Sequence, residues 1–244
     1  MVIAVGVDGN NEVLKAVAAV DFEVVTVKSE QKLVELLMNG EVDVAVRGSL
    51  SASVIMDKLR KTHPELYRVS CIELNDRKFL LGPVGLVEGS NLSDKLRLAL
   101  FGSEFLKSHG ITPSLAVITT GRPNDTARNK KINEMIEEGK KLTIKINEHS
   151  IEAKHYYALI EEAISDGANL IIPYDGIFGN MIFRSMVLAA GAKSYGAVTL
   201  GMKEIFIDTS RSQSVEGFKR ALKFANHLSK LGNQLPLIKK CNNK

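Results

Sequence analysis

Short apolar runs that alternate with amphipathic stretches, almost from end to end, constrain this chain more than any other feature. "VIAVGV" (2–7) reads as a strand buried on both faces, and "NEVLKAVAAV" (11–20) has a helical period. "FEVVTV" is followed by "EQKLVELLMNG", where Gly40 is a natural helix stop. "VDVAVRG" leads into "LSASVIMDKLRKTH", with Pro64 just beyond its end. Such β-α alternation builds a parallel sheet with helices on both faces.

The section "RVSCIELNDRKFLLGPVG" (68–85) has two apolar runs with no room for a helix between them, so it predicts a hairpin or antiparallel edge. "SDKLRLALFGSEFLKSHG" (93–110) predicts a long helix capped by Ser93 and stopped at Gly110. Pro113 opens a second series: strand "SLAVIT", polar loop "TGRPNDTARN", helix "KKINEMIEEGKK" and a strand-like "LTIKI" (142–146). Helix "EAKHYYALIEEAISDG" (152–167), strand "NLIIPY", helix "NMIFRSMVLAAG" and strands "YGAVTL" and "EIFIDT" complete it. A last helix, "SVEGFKRALKFANHLSKLG", precedes a partly loose tail from 233 to 244. The expected fold is a three-layer α/β/α sandwich with a mostly parallel sheet and two lobes around a cleft. Residues 1–112 with the C-terminal segment 205–244 would form one lobe, and 113–204 the other.

Composition narrows the function. With 45% hydrophobic and 25% charged residues over 244 positions, the chain has ample core for a soluble protein. No apolar run reaches the ~20 residues of a membrane span, and the start lacks a signal-peptide pattern, so a cytoplasmic location is expected. Cys71 and Cys241 are far apart without a CxxC, and the five histidines show no HxH or HExxH, so no metal site is expected. The net charge of +4 is spread along helices among acids, and there is no Trp, which argues against nucleic acid. A modest positive excess suits small anions.

In open α/β sheets ligands sit outside the carboxyl ends of strands. Five loops there are rich in Gly, hydroxyls, Asn or Arg: "GVDGNN" (6–11), "RGSLSAS" (47–53), "TTGRPNDTAR" (119–128), "DGIFGN" (175–180) and "DTSRSQS" (208–214). Loops ahead of helix N-termini present unpaired N–H groups to an anion, and Arg47, Arg122, Arg128 and Arg211 add guanidinium forks. Each loop alone is ordinary turn and cap chemistry, and neither a GxGxxG nor a Walker lysine is present. The third loop reads either as a surface turn in which Asp125 or Thr126 caps the next helix or as a phosphate-contacting loop. Asn180 reads either as a ligand-orienting amide or as the cap of a helix over 181–190.

The carboxyl half is more specific than its separate loops. Gly179-Asn180, Ala190-Gly191-Ala192, Gly196, Gly201 and Asp208-Thr209-Ser210-Arg211 with Ser214-Val215 resemble the signature of the phosphate acyltransferases that include phosphotransacetylase. The Asp-Gly-x-x-Gly-Asn opening is similar to the acyl-phosphate synthase PlsX, and "VDVAVRGSLSASVIMDKLRK" resembles an upstream loop and helix of the family. Size and loop wording most resemble the MtxX-type methanogen marker proteins, which carry both methyltransferase-component and phosphotransacetylase labels.

The resemblance implies an acyl-phosphate, phosphate or thioester in the interlobe cleft. Arg211 would hold phosphate or stabilise developing charge, Ser210 would donate to a carbonyl oxygen or leaving group, and Asn180 would orient the substrate. Gly48, Ser53 and Lys58 would cradle phosphate, with Arg47, Thr120, Arg122, Gly179 and Asp175 as further contacts. No cofactor is required, although coenzyme A or an acyl carrier thioester could serve as substrate. A homodimer is implied, and the alternative is a partner-dependent subunit of a methyltransferase complex. One departure stands out: Gly217 occupies the place of the family's Asp, read as the base toward a thiol, and Glu216 lies about 100° around the helix from it. An isopropylmalate-dehydrogenase-like oxidoreductase ranks lower, for want of an Asp cluster for a metal.

Overall fold

Parallel strands need long crossovers, and in this chain nearly every crossover is a helix. A computed structural model describes residues 2–125 and 129–231. The first half runs β1 (Ile3–Gly6), α1 (Asn11–Ala18), β2 (Val24–Val27), α2 (Glu30–Met38), β3 (Val44–Val46) and α3 (Ala52–Thr62). A hairpin of β4 (Tyr67–Leu74) and β5 (Arg77–Leu81) follows, then α4 (Leu92–Ser108). The second half runs β6 (Ser114–Ile118), α5 (Lys130–Glu148), β7 (Glu152–Tyr157), α6 (Ile160–Ser165), β8 (Leu170–Ile172) and α7 (Gly176–Phe183). β9 (Lys193–Leu200), β10 (Ile205–Asp208) and α8 (Val215–Leu231) close the chain.

The described strands form one sheet in the order β2-β1-β3-β10-β9-β4-β5-β8-β6-β7. Both flanks are parallel, and the antiparallel pairs β10·β9, β9·β4 and β4·β5 lie between them. The expected α/β fold with a large, mostly parallel sheet is therefore what forms. The hairpin turns through Asn75 and Asp76, both at positive φ (49° and 60°), as a two-residue type I′ turn requires. Among the described residues no helix is long and apolar enough to cross a membrane.

The two faces of the sheet differ. On one, α1, α4, α5 and α8 cover a continuous apolar layer that takes in Val5, Val46, Val69, Leu80, Leu170 and Val198. On the other, the layer is split. Leu33, Leu37, Ile55 and Leu59 of α2 and α3 cover Ala4, Ala45 and Phe206. Ala163 of α6, with Ile182 and Phe183 of α7, covers Ile72, Leu81 and Ile171. Successive strand residues point to opposite faces, so the residues two along from Ala45 and Phe206 share their face. These are Arg47 and Asp208. Arg68 and Ser70 precede Ile72 on the same face of β4, so the gap between the two apolar clusters has a polar floor.

Two local expectations fail. "LTIKI" is helical, part of the 19-residue α5, which Asn129 caps through a bond from Ile132 N. Leu142 and Ile146 are buried four residues apart while Ile144 between them is 59% exposed, so the β-like alternation of the segment is overridden by packing at helical spacing. "EAKHYY" is strand β7, hydrogen-bonded in parallel register to β6, and the helix of that segment begins only at Ile160. Caps also shift. Asn91 rather than Ser93 caps α4, and Asn129 rather than Asp125 caps α5. Thr126, Arg128, Cys241 and the tail lie outside the described residues.

Candidate functional site

The gap over β10, β9 and β4 is a cavity of about 320 Å³, at the carboxyl ends of β3 and β10. Four guanidiniums line it, those of Arg47, Arg68, Arg184 and Arg211, against the single carboxylate of Asp208. Asp208 takes an ion pair from Arg47 and another from Arg68 Nη1 at 2.8 Å. Arg47 is buried, and its Nη1 also donates to the Leu50 carbonyl at 3.0 Å. Burial pulls the Arg47 guanidinium below its ordinary pKa, with Asp208 opposing and the Arg68 and Arg211 charges adding to the fall. At Arg68 burial acts the same way, but the Glu88 and Asp208 carboxylates outweigh it and the pKa rises.

The other two arginines are not consumed in this way. Arg211 is half-exposed, and its one ion pair among the described residues is with the solvated Asp8 at 3.8 Å. Arg184, exposed just beyond α7, has no acid within ion-pair distance among the described residues. Buried fixed charge on the floor and uncommitted charge at the rim suit a multiply charged anion. Ser210 Oγ accepts from Ser212 N at 3.2 Å, which leaves its own proton free to donate. Asn180 gives one N–H to the Val84 carbonyl at 3.3 Å and keeps its oxygen and second N–H.

Asn180, Ser210, Arg211 and Arg47 thus share one cavity. The remaining anticipated residues do not line it. Gly48 stands at φ 60° with room for no side chain, because a Cβ would lie 1.9 Å from the Gly6 carbonyl oxygen; its own carbonyl accepts from Thr209 Oγ1 at 2.8 Å. Ser53 Oγ bonds Ser51 Oγ at 3.2 Å, and Lys58 bonds Gln31. Thr120 and Arg122 follow β6, with Arg122 N bonded to Asp125 at 2.8 Å.

Asp175 caps α7, accepting from Phe178 N at 2.9 Å, so Asn180 lies inside this helix and caps nothing. Gly176 and Gly179 then face the loop after β5. A Cβ on Gly176 would fall 1.6 Å from the Gly85 carbonyl oxygen, and one on Gly179 1.9 Å from that of Pro83. These glycines make room for backbone rather than for ligand.

Arg68, Arg184 and Asp208 join the site without a role read from the sequence. Asp208 opens the signature that ends in Ser210-Arg211, and the signal for Arg68 is an arginine inside an apolar strand, at "RVSC". Gly217 is buried, and a Cβ there would stand 2.2 Å from Gln213 Oε1, so the Gln213 side chain fills the place a larger residue would take. Glu216 points outward, its side chain 67% exposed beside Lys219.

No family model matches the chain. Curated relatives do. One described as an uncharacterized methyltransferase of Methanocaldococcus jannaschii is 39% identical over 236 residues, covering 91% of this chain and 95% of the relative. A Methanosarcina barkeri protein named "Putative methyltransferase mtx subunit X" is 37% identical over 219 residues, covering 88% of this chain and 79% of the relative. Among solved structures, a branched-chain phosphotransacylase from Enterococcus faecalis superposes with a TM-score of 0.72 at 18% identity, over 95% of this chain and 99% of that one. A 4-hydroxythreonine-4-phosphate dehydrogenase from Klebsiella pneumoniae gives 0.58 at 9% identity, over 93% and 88%. The likeness to those structures is one of fold, whereas the sequence relationship is close enough to assign kinship: the chain belongs to the MtxX-type family of methanogen proteins, built on a phosphotransacetylase-like fold.

Proposed function

We propose that this protein is a phosphate acyltransferase-like transferase that holds phosphate, an acyl-phosphate or a phosphate-bearing thioester in the cleft between α3 and α7. The observation that carries the reading is the set of four guanidiniums against one carboxylate around an open cavity. Arg184 and Arg211 meet the anion, while Arg47 and Arg68 set the potential of the floor. Ser210 donates to the oxygen on which charge develops, and the free end of the Asn180 amide orients the reacting carbonyl.

Among the lining residues there is no His, Lys, Cys, Tyr or Glu, and Asp208 is shared by two arginines. A neutral thiol entering this cleft meets no uncommitted base, and Gly217 offers none. A phosphate oxygen is already ionised and needs none, so phosphate is the favoured nucleophile toward an acyl donor. Titration with inorganic phosphate and assay with acyl-phosphates plus coenzyme A or acyl carrier protein test this. Saturable phosphate binding that Arg211→Ala weakens is expected, and neither binding nor turnover would refute it.

A second reading follows from the relatives' names: a partner-dependent methyltransferase subunit whose cleft binds an anion without turning it over. Co-purification of a defined methyltransferase subunit from a native lysate, with no acyl transfer, favours it. The apolar surface of Ile177, Phe178 and Met181 on α7, beside Leu86 and Val87, is exposed and suits the homodimer that the family resemblance implies. A monomer by sedimentation would remove that element.

A further inference from the structure

Glu88 does not line the cavity, yet it is the most heavily bonded carboxylate near it. Its side chain is 3% exposed. Oε1 accepts from Arg68 Nε at 2.8 Å and Arg60 Nη2 at 2.7 Å, and Oε2 accepts from Arg68 N at 3.0 Å and Gly85 N at 3.3 Å. With Nη1 on Asp208, the Arg68 guanidinium is held along two edges and its plane is fixed. A Cβ on Gly85 would lie 2.1 Å from both Arg68 Nη2 and Glu88 Oε1, so glycine at 85 is what lets this pair sit where it does.

The same loop seats the opposite wall. Gly176 N donates to the Glu88 carbonyl at 2.9 Å, and α7 carries Asn180 into the cleft with Arg184 just beyond its end.

We propose that Glu88 is a positioning residue: it fixes Arg68 for the bound anion and locks the loop that seats α7, so that floor and wall keep one spacing. This rests on reading the cleft as an anion site. It makes a prediction of unusual sign. Glu88→Gln removes a negative charge near the cavity, and Coulomb attraction alone would then tighten phosphate binding. Loss of a fixed Arg68 weakens it instead.

The test uses the full chain, wild type and Glu88→Gln, with two measurements. In arginine Nε–H NMR spectra the Arg68 proton, bonded and buried, exchanges slowly in wild type and rapidly in the variant. By calorimetry the variant binds inorganic phosphate about tenfold more weakly, the equivalent of about 1.4 kcal/mol. Glu88→Asp, which keeps the charge, recovers part of both. Arg60→Met removes one of the donors to Glu88 without touching the cavity, and gives about a threefold loss with partial loss of protection; it serves as well should Glu88→Gln not fold. Unchanged Arg68 protection in both variants, or phosphate binding as tight as in wild type, overturns the proposal. Absence of phosphate binding by wild type refutes the anion-site reading instead, and the Arg68 exchange rate then decides the role of Glu88 by itself.

Discussion

Buried cations lie near the carboxyl ends of strands on both faces of the sheet, and the two places behave differently. On the α4–α5 face, Lys95 is 3% exposed; its Nζ donates to Glu138 Oε1 at 2.5 Å and to the Tyr174 carbonyl at 2.8 Å, and it lies 4.3 Å above the Tyr174 ring. Tyr174 OH closes the set on Glu138 at 3.0 Å, and the space between these groups admits no water. On the α3–α7 face, Arg47 and Arg68 are nearly as buried, but they border about 320 Å³ of open volume, with Arg184 unpaired among the described residues and Arg211 held only by the solvated contact to Asp8. The difference teaches that a buried charge marks a site only when bonding capacity is left over and there is room to use it. Where every donor is met and no space remains, the charge is structural.

The comparison breaks most sharply at Lys95. Lys95→Met leaves Glu138 without its cation and should cost about 3 kcal/mol in chemical denaturation, with phosphate affinity unchanged for the folded fraction. A loss of affinity at constant stability would mean that the closed cluster reaches the cleft. Gly176→Ala drives a Cβ into the Gly85 carbonyl and should cost about 2 kcal/mol while also weakening phosphate binding, since α7 must shift. Arg211→Ala is the reverse case. It should lower phosphate affinity by about 2 kcal/mol, the value of a charge-assisted bond, and move unfolding by less than about 0.5 kcal/mol because the side chain is half-exposed.

The smallest effect is a pH dependence that belongs to the closed face. His155 bonds Thr119 Oγ1 at 2.8 Å, and burial lowers its pKa to about 4, with Lys140 adding to the fall. A base whose pKa is depressed by folding is bound more tightly to its proton in the unfolded chain. Stability at this residue is therefore full above about pH 6.5 and is lost as pH falls from there toward 4. His155→Phe, which keeps a ring against Tyr157, should flatten that part of a Tm–pH profile. An unchanged profile would assign the acid sensitivity elsewhere.

Much of the architecture was legible because strand and helix periods are local. β1, β2, β3 and the hairpin declare themselves by apolar runs and by Asn75-Asp76. The two misread segments, 142–146 and 152–157, carry β-branched or aromatic residues at spacings that fit either period, and their neighbours decided. In the site, Arg47, Ser210 and Arg211 were visible as polar residues in the loops after strands, and Asn180 through the Gly-Asn of the family signature. Arg68 and Glu88 were not, since an isolated charge in an apolar stretch says nothing about its partner 20 residues away. The glycines of "DGIFGN" were visible but misattributed: they admit the backbone of residues 83–85, a contact across some 90 positions.

The amino-acid order by itself determined the layering, the β4–β5 hairpin and the supply of cations to the loops after the strands, because period, turn chemistry and charge are properties of neighbours along the chain. That the hairpin joins β9 in an antiparallel seam at the middle of the sheet, rather than at its edge, was decided by the fold. Which cations stay free was decided only in three dimensions. Pairing of Arg47 and Arg68 with Asp208, closure around Lys95, and the cover of Gln213 over Gly217 all depend on segments brought together by the sheet. Electrostatic commitment is a matter of distance through space, and no local pattern encodes it.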